Sequence, residues 1–191
     1  MFGPGDVGFF DRIAPLYDLA MPPASGSLLA AGFAPAERPI DRLLDVGGGS
    51  GRAAAAIVGP EVTVVDASPG MLARARTRRG LSAIAADAGR LPIRDGVVDA
   101  AMIVDALHHL PDRDAALSEV SRVLAPGGVL VVREFDPGHP LGRVLEAGEH
   151  LIGMDSAFMS PDALADELGA HGFRASVIDR GFGYTVVGVR L

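Results

Sequence analysis

The chain has 191 residues, and it contains no cysteine, no tryptophan and no lysine, so all 17 of its basic side chains are arginine. Without lysine, neither a Schiff-base lysine nor a P-loop lysine is possible. Without cysteine, the chain can form no disulfide, cysteine nucleophile or thiolate-ligated zinc site. Any acid–base chemistry must therefore come from histidine, a carboxylate or tyrosine.

Positive charge is also scarce, since the net charge is -7. An acidic protein lacks the broad basic surface that nucleic-acid binding requires, so no nucleic-acid partner is expected. The single basic cluster, at residues 74–79, is interpreted as a solvated helix face. Residues 1–22 include Asp6 and Asp11 and do not resemble a signal peptide, and no window has about 18 uninterrupted apolar residues. We therefore expect a cytoplasmic protein with no integral membrane segment.

From residue 43 onward, short apolar runs alternate with segments of helical character. This alternation predicts a doubly wound α/β sheet with right-handed crossovers. The predicted strands are 43–46, 62–65, 82–86, 99–104 and 129–132, followed by a C-terminal antiparallel hairpin of 177–178 and 184–189. The predicted helices are 9–20 (one helix, or two broken at Pro15), 27–33, 52–58, one starting at Pro69, 115–124, 141–152 and 162–170.

No linker divides the chain, so one domain spanning 1–191 is predicted. Residues 1–40 form an N-terminal helical cap in this interpretation, and residues 41–135 form the ligand-binding core. Residues 136–191 would then supply a substrate-covering segment and the terminal hairpin. The whole is a mostly parallel, seven-stranded sheet with an antiparallel C-terminal strand.

An aspartate lies at or near the carboxyl end of each of the first four predicted strands: Asp45, Asp66, Asp87 and Asp105. Ligands bind at this edge of a doubly wound sheet. A glycine-rich turn, 47–51, follows the first strand with the spacing G-x-G-x-G, which differs from the dinucleotide fingerprint G-x-G-x-x-G. We expect the four carboxylates to converge beside this turn.

The chemistry of these groups indicates an adenosine-containing ligand. The helix start behind the glycine turn offers N–H groups to an anion such as a carboxylate or phosphate. Asp66 can accept hydrogen bonds from both hydroxyls of a ribose, and Asp87 can accept from an exocyclic amine. A ligand-free reading remains open, in which the glycines form only a tight turn and Asp66 only ends a strand.

Four stretches together resemble the class I S-adenosylmethionine-dependent methyltransferases. They are LLDVGGGSGR (43–52), VTVVDASPGMLARAR (62–76), AADAGRLPIRDGVVDAAMIVDALHHLPD (85–112) and ALSEVSRVLAPGGVLVVREF (116–135). Within that family, FFDRIAPLYDLAMP (9–22) and RVLAPGGVLVVREFDP (122–137) look most like the ubiquinone/menaquinone C-methyltransferase branch. The resemblance implies a Rossmann-like fold, S-adenosylmethionine as cofactor, and methyl transfer to a small, apolar or aromatic, quinone-like acceptor.

The resemblance also implies which positions hold the cofactor. Those implied for its methionine end are Tyr17, Asp45, Gly47, Gly48, Gly49, Gly51 and Asp105. Those implied for its adenosine are Asp66, Ala67, Met71, Asp87 and Ala88. If the acceptor is a lipid quinone, peripheral contact with a membrane is expected as well.

His108 and His109 follow the fourth strand at the same edge, where one of them could serve as a base or contact the substrate, or both could be bystanders. No metal site is predicted, because adjacent histidines are expected to point apart and no third ligand is evident. Two other functions remain open. One is a cofactor-binding regulator without catalysis, and the other is an NAD-dependent oxidoreductase.

Overall fold

The computed structural model describes residues 6–20 and 25–191, and it describes side chains for residues 6–15 and 25–191. Residues 1–5 and 21–24 of the predicted cap lie outside this part of the chain. The described residues form a sheet of seven strands in the order β3-β2-β1-β4-β5-β7-β6. These strands are β1 Arg42–Val46, β2 Glu61–Asp66, β3 Ser82–Ala85, β4 Val98–Val104, β5 Leu124–Phe135, β6 Phe173–Asp179 and β7 Gly183–Arg190.

The strand directions confirm the predicted fold class. The strands β3, β2, β1, β4 and β5 run parallel to their neighbours, whereas β7 lies antiparallel between β5 and β6. Strand order reverses between β1 and β4, so the carboxyl ends of these two strands flank a crevice suited to a ligand. The terminal hairpin forms as predicted, although both of its strands are longer than the sequence suggested.

Helices cover both faces of the sheet. They are α1 Val7–Ala20, α2 Gly26–Phe33, α3 Pro69–Arg79, α4 Arg113–Val123, α5 Pro140–Leu151 and α6 Pro161–Ala170. Apolar side chains of α4 and α6 join one core cluster, and those of α2 and α3 join the other. All seven residues of β4 are buried, as expected for a strand covered on both faces.

The start of α3 follows the predicted capping pattern. Ser68 accepts a hydrogen bond from the backbone N–H of Met71, and Pro69 occupies the first helical position. Gly80 ends the helix in the left-handed conformation. No helix within the described residues is both long and apolar enough to cross a lipid bilayer.

Two predicted elements differ in the structure. Residues 52–58 form turns and a short 3-10 segment, Ala54–Ala56, instead of an α-helix. Only seven residues separate the glycine turn from Gly59-Pro60, which leaves too little chain to offset the cost of helix nucleation. Strand β5 begins at Leu124, before Pro126-Gly127-Gly128, and its pairing with β4 shifts register to accommodate these residues.

Candidate functional site

One cavity lies at the carboxyl ends of β1, β2 and β4, beside the first turn of α1. Most of the residues that were predicted to bind a cofactor line this cavity together. They are Asp45, Gly47, Gly48, Gly49, Asp66, Ala67, Met71, Asp87, Ala88 and Asp105. His109 lines it as well, whereas Gly51 and His108 do not. Tyr17 belongs to the last turns of α1, whose side chains lie outside the described part of the chain.

Asp45 is completely buried beside the glycine turn. Neither of its carboxylate oxygens has a hydrogen-bond partner among the described residues. Burial raises the pKa of this carboxyl to about 7, although the nearby backbone N–H of Ala54 and the charge of Arg52 oppose part of the rise. A buried carboxylate without an internal partner is costly, and a cationic ligand in the cavity would compensate for it.

Asp66 ends β2 and is held in place by backbone donors. The N–H of Gly49 donates to Oδ2 at 2.8 Å, and the N–H of Ser68 donates to Oδ1 at 2.7 Å. Burial raises the pKa of this carboxyl, and the two backbone donors partly oppose that rise. Each oxygen retains lone-pair capacity for one more donor, which suits a pair of neighbouring hydroxyls.

The glycine turn requires the left-handed conformation at alternate positions. Gly47, Gly49 and Gly51 have φ values of +69°, +54° and +78°. A Cβ at Gly47 would lie 2.9 Å from Ala106, and one at Gly49 would lie 3.1 Å from Met71. Both glycines therefore keep the backbone close to other walls of the cavity.

Gly51, which was also predicted to contact the cofactor, does not line the cavity. It faces away from the cavity, and a Cβ there would meet the side chains of Leu81 and Ala75. The reason is geometric, because the turn reverses the chain between Gly49 and Gly51 and directs the last glycine toward α3. Gly51 thus permits close packing of the turn on the helix.

Asp105 forms an ion pair that the sequence did not predict. Its Oδ2 accepts from the guanidinium of Arg52 at 2.7 Å, and both side chains are largely buried. Asp105 has a φ of +52°, which is uncommon for a residue with a Cβ and marks strain at this loop. Arg52, which directly follows the glycine turn, also lines the cavity.

Asp87 follows β3 and also lines the cavity. The N–H of Gly89 donates to its Oδ1 at 2.8 Å, which fixes the carboxylate in a local turn. Ala88, next to it, is buried against the cavity wall. The arrangement is compatible with a donor group of a ligand approaching the remaining oxygen.

The two adjacent histidines do not point apart, which corrects the earlier expectation. Their ring centroids lie 4.0 Å from each other, because residues 107–109 form a tight 3-10 turn. His108 is buried, and its Nδ1 lies 2.6 Å from Oε2 of Glu134. Burial by itself would lower the pKa of His108, but the carboxylates of Glu134 and Glu149 outweigh it and raise that pKa.

His109 faces the cavity. Its Nδ1 lies 3.3 Å from both Oδ2 of Asp6 and Oγ of Ser156, and its ring makes an edge contact with Phe10. Burial lowers the pKa of His109, and the neighbouring His108 lowers it further, so the imidazole is neutral at physiological pH. A neutral imidazole at a cavity wall can accept a proton or a hydrogen bond.

Several residues at this site carried no sequence signal of their role. Glu134 lies at the carboxyl end of β5, and its Oε1 accepts from the backbone N–H groups of Ala106 and Leu107. Asp6 joins the loop at residues 154–156 to the histidine turn. These contacts link parts of the chain far apart in sequence, so only the tertiary structure reveals them.

The sheet order and the position of the cavity define the class I methyltransferase fold. Residues 44–132 match the family model described as "Methyltransferase domain". A solved structure described as a possible histamine N-methyltransferase from Thermotoga maritima superposes with a TM-score of 0.75 at 23% identity, covering 95% of this chain and 98% of that one. A [4+2]-cyclase superposes with a TM-score of 0.69 at 25% identity, covering 92% of this chain and 73% of that one.

Curated proteins that are similar in sequence indicate which kind of methyltransferase this chain resembles. A demethylmenaquinone methyltransferase from Beutenbergia cavernae is 40% identical over 146 residues, which are 69% of this chain and 59% of the relative. One from Thermus thermophilus is 39% identical, covering 67% of this chain and 64% of the relative. The chain thus spans about six tenths of the length of these relatives. These similarities agree with the resemblance to the S-adenosylmethionine-dependent methyltransferases that the sequence motifs carry.

Proposed function

We propose that the protein is an S-adenosylmethionine-dependent methyltransferase that acts on a small, apolar or aromatic acceptor of the quinone type. The observation that carries the proposal is Asp45, a buried carboxylate without an internal partner beside the glycine turn. The cofactor brings both an ammonium and a sulfonium group, and either cation would satisfy this carboxylate. The names of the relatives, demethylmenaquinone methyltransferases, support the quinone-type acceptor.

Residue roles follow from the positions along the cavity. Asp45 and the backbone of Gly47–Gly49 would hold the methionine end, with Asp105 and Arg52 closing that side. Asp66 would bind the ribose hydroxyls. The residues proposed to surround the adenine are Ala67, Met71, Asp87 and Ala88.

When bound, the cofactor supplies an activated methyl group for an in-line displacement. The protein's contribution is to orient the acceptor and to exclude water from the reacting centre. His109 is the proposed proton acceptor if the acceptor is a phenol or an acidic carbon. Its Nδ1 faces Asp6 and Ser156, so Nε2 is the nitrogen available for this role.

We extend the proposal to where the protein acts in the cell. A cytoplasmic protein that contacts the membrane only peripherally would suit a lipid quinone acceptor. Four apolar side chains in and just after α5 support such a contact because they are exposed: Leu141, Val144, Leu151 and Ile152.

Cofactor binding is tested with the Asp66→Ala variant. We expect titration calorimetry to show at least tenfold weaker binding of S-adenosylhomocysteine, because the ribose hydroxyls lose their acceptor. The matched control is Glu61→Ala, which removes an exposed carboxylate from the opposite end of the same strand. Equal affinity in the Asp66→Ala variant and the wild type would refute the ribose assignment. Thermal stabilisation by NAD but not by S-adenosylhomocysteine would favour the oxidoreductase instead.

Transfer itself needs a separate assay, because a fold neighbour catalyses a cyclisation and the fold alone does not define the reaction. The protein is incubated with methyl-labelled cofactor and a panel of demethylated quinols and phenols. Labelled product supports the proposal. Tight cofactor binding without product on any acceptor, or in cell extract, would favour the non-catalytic regulator.

A further inference from the structure

We propose that His108, His109 and Glu149 bind a divalent transition-metal ion such as zinc, next to the cofactor cavity. One ligand atom from each side chain can be chosen so that all three lie within 4.8 Å of one another. The inference goes beyond the proposed function, since the metal site does not depend on methyl transfer. A bound metal would take the one lone pair of neutral His109 and so replace the proton-accepting role proposed for that residue.

The geometry at His108 and Glu149 is close to that of a bound metal. Nε2 of His108 lies 3.8 Å from Oε2 of Glu149. Zinc binds imidazole nitrogen and carboxylate oxygen at about 2.0–2.2 Å, so neighbouring ligand atoms in a tetrahedral site are roughly 3.4 Å apart. Side-chain movements of less than an ångström would therefore bring this pair into coordination distance.

The other nitrogen of His108 already has the partner that metal-binding histidines usually have. Nδ1 donates to Oε2 of Glu134 at 2.6 Å, and Oε1 of Glu134 is in turn fixed by two backbone N–H groups. A carboxylate bonded to one ring nitrogen sets the tautomer and aims the lone pair of the other nitrogen at the metal. In a singly protonated His108 ring, the lone pair on Nε2 would face Oε2 of Glu149, 3.8 Å away.

Glu149 gives the second, independent indication. Its Oε2 is buried and has no hydrogen-bond partner among the described residues. With His108 singly protonated, this oxygen would face an imidazole lone pair, which is electrostatically unfavourable unless a proton or a metal cation lies between the two atoms. A metal ion at this point would satisfy both groups at once.

Coordination by three protein groups would leave a position open to the cavity that His109 lines. If the proposed function holds, the metal could polarise an acceptor oxygen there. The competing arrangement is metal-free, with a doubly protonated His108 between Glu134 and Glu149 and stacked on Phe158 at 4.2 Å. Experiment can separate the two arrangements.

The test titrates Zn²⁺ into chelator-treated protein without cofactor or acceptor, using calorimetry, and repeats the titration with Co²⁺ to record its visible ligand-field spectrum. We expect one ion per chain, with at least tenfold weaker binding in Glu149→Gln and in His109→Asn. The matched control is Glu146→Gln, which removes a carboxylate one turn away on α5 and should bind like the wild type. Circular dichroism checks that each variant is folded.

Binding that is absent in the wild type, or equal in Glu149→Gln and the wild type, would overturn the proposal. A His108 ring that nuclear magnetic resonance finds doubly protonated in the presence of excess Zn²⁺ would do the same. Affinity for S-adenosylhomocysteine is measured on the same samples. A failed metal site therefore stays distinguishable from a failed cofactor site.

Discussion

Two buried aspartates on neighbouring strands, Asp45 and Asp99, have opposite surroundings. Asp99 accepts from the backbone N–H groups of Asp41 and Arg42 and pairs with the guanidinium of Arg38 at 2.9 Å. Asp45 has no such partner among the described residues. Asp99 therefore stabilises the fold by itself, whereas Asp45 imposes a cost that the nearby backbone N–H of Ala54 and the charge of Arg52 offset only in part.

The Asp45→Asn variant should separate stability from binding. The pKa of Asp45 is about 7 in the folded protein against 3.8 for the free side chain. The folded state therefore binds more protons between these values, and its stability falls as pH rises from about 4 to 7. Above pH 7 the full penalty applies, on the order of a few kcal/mol. We expect Asp45→Asn to be more stable than the ligand-free wild type at pH 8, and to bind S-adenosylhomocysteine more weakly.

Urea unfolding at pH 5 and pH 8 measures the first effect, and calorimetry measures the second. Asp99→Asn is the control, and it should lose stability at both pH values because it weakens a carboxylate with three partners. A variant at position 45 that is less stable than the wild type at pH 8 would show that the carboxylate has a stabilising partner after all.

At the scale of elements, the glycine turn and α3 act as one packed unit. Gly51 and Gly80 both adopt the left-handed conformation, with φ values of +78° and +65°. They differ in their surroundings, because a Cβ at Gly51 would meet Leu81 whereas one at Gly80 would meet nothing within 4 Å. Substituting each of these two glycines therefore distinguishes the cost of backbone strain, which both substitutions share, from the cost of a steric clash, which arises only at Gly51.

We expect Gly80→Ala to cost roughly 1 kcal/mol, the strain of placing a Cβ in this conformation. Gly51→Ala should cost about 1 kcal/mol or more beyond that, because Leu81 must move. Denaturant unfolding gives both values. Affinity for S-adenosylhomocysteine should stay within about twofold of the wild type in Gly51→Ala. If Gly51→Ala kept the stability of the wild type but lost affinity for S-adenosylhomocysteine, the result would support the contact between Gly51 and the cofactor that the family resemblance implied.

The elements that sequence could predict are those set by local patterns. Continuous apolar runs located β1, β2 and β4, and the Ser68-Pro69 pair located the start of α3. The helix predicted at 52–58 failed because alanine propensity does not compensate for so short a segment between two breakers. The start of β5 was missed because a bulge at Pro126–Gly128 depends on pairing with β4, which the local sequence does not encode.

The candidate site, like the fold, contains some features that the sequence could predict and others that it could not. The strand-end aspartates could be predicted, because parallel topology brings the carboxyl ends of strands to one edge. The pairing of Asp105 with Arg52 joins residues 53 positions apart, and that of His108 with Glu134 joins residues 26 apart. Such partners are fixed by loop conformations and strand register, for which the sequence offers no periodic signal. The expectation that His108 and His109 diverge assumed an extended backbone, whereas the 3-10 turn brings the rings together.

For the molecule as a whole, one question is whether the cap, the core and the C-terminal segment unfold together. Contacts cross all three proposed parts. Asp11 of α1 accepts from Ser68 and Gly70 at the start of α3, and the N–H of Ala157 donates to the carbonyl of His108 at 2.9 Å. The cavity draws its walls from the cap and the core. These contacts favour the single domain predicted for 1–191.

We therefore expect one cooperative thermal transition that S-adenosylhomocysteine moves as a whole. At a ligand concentration of 100 times Kd, the stabilisation is about 2.7 kcal/mol, which corresponds to about 5–10 °C for a domain of this size. Scanning calorimetry measures the shift, and Asp66→Ala at the same ligand concentration is the control, whose shift should be at most about half as large because its Kd is at least tenfold higher. Two resolved transitions, only one of which responds to ligand, would show that part of the chain folds separately from the site. A single transition that shifts by the full amount only in the wild type would mean that the binding energy of S-adenosylhomocysteine stabilises the cap, the sheet and the hairpin together, through their common core.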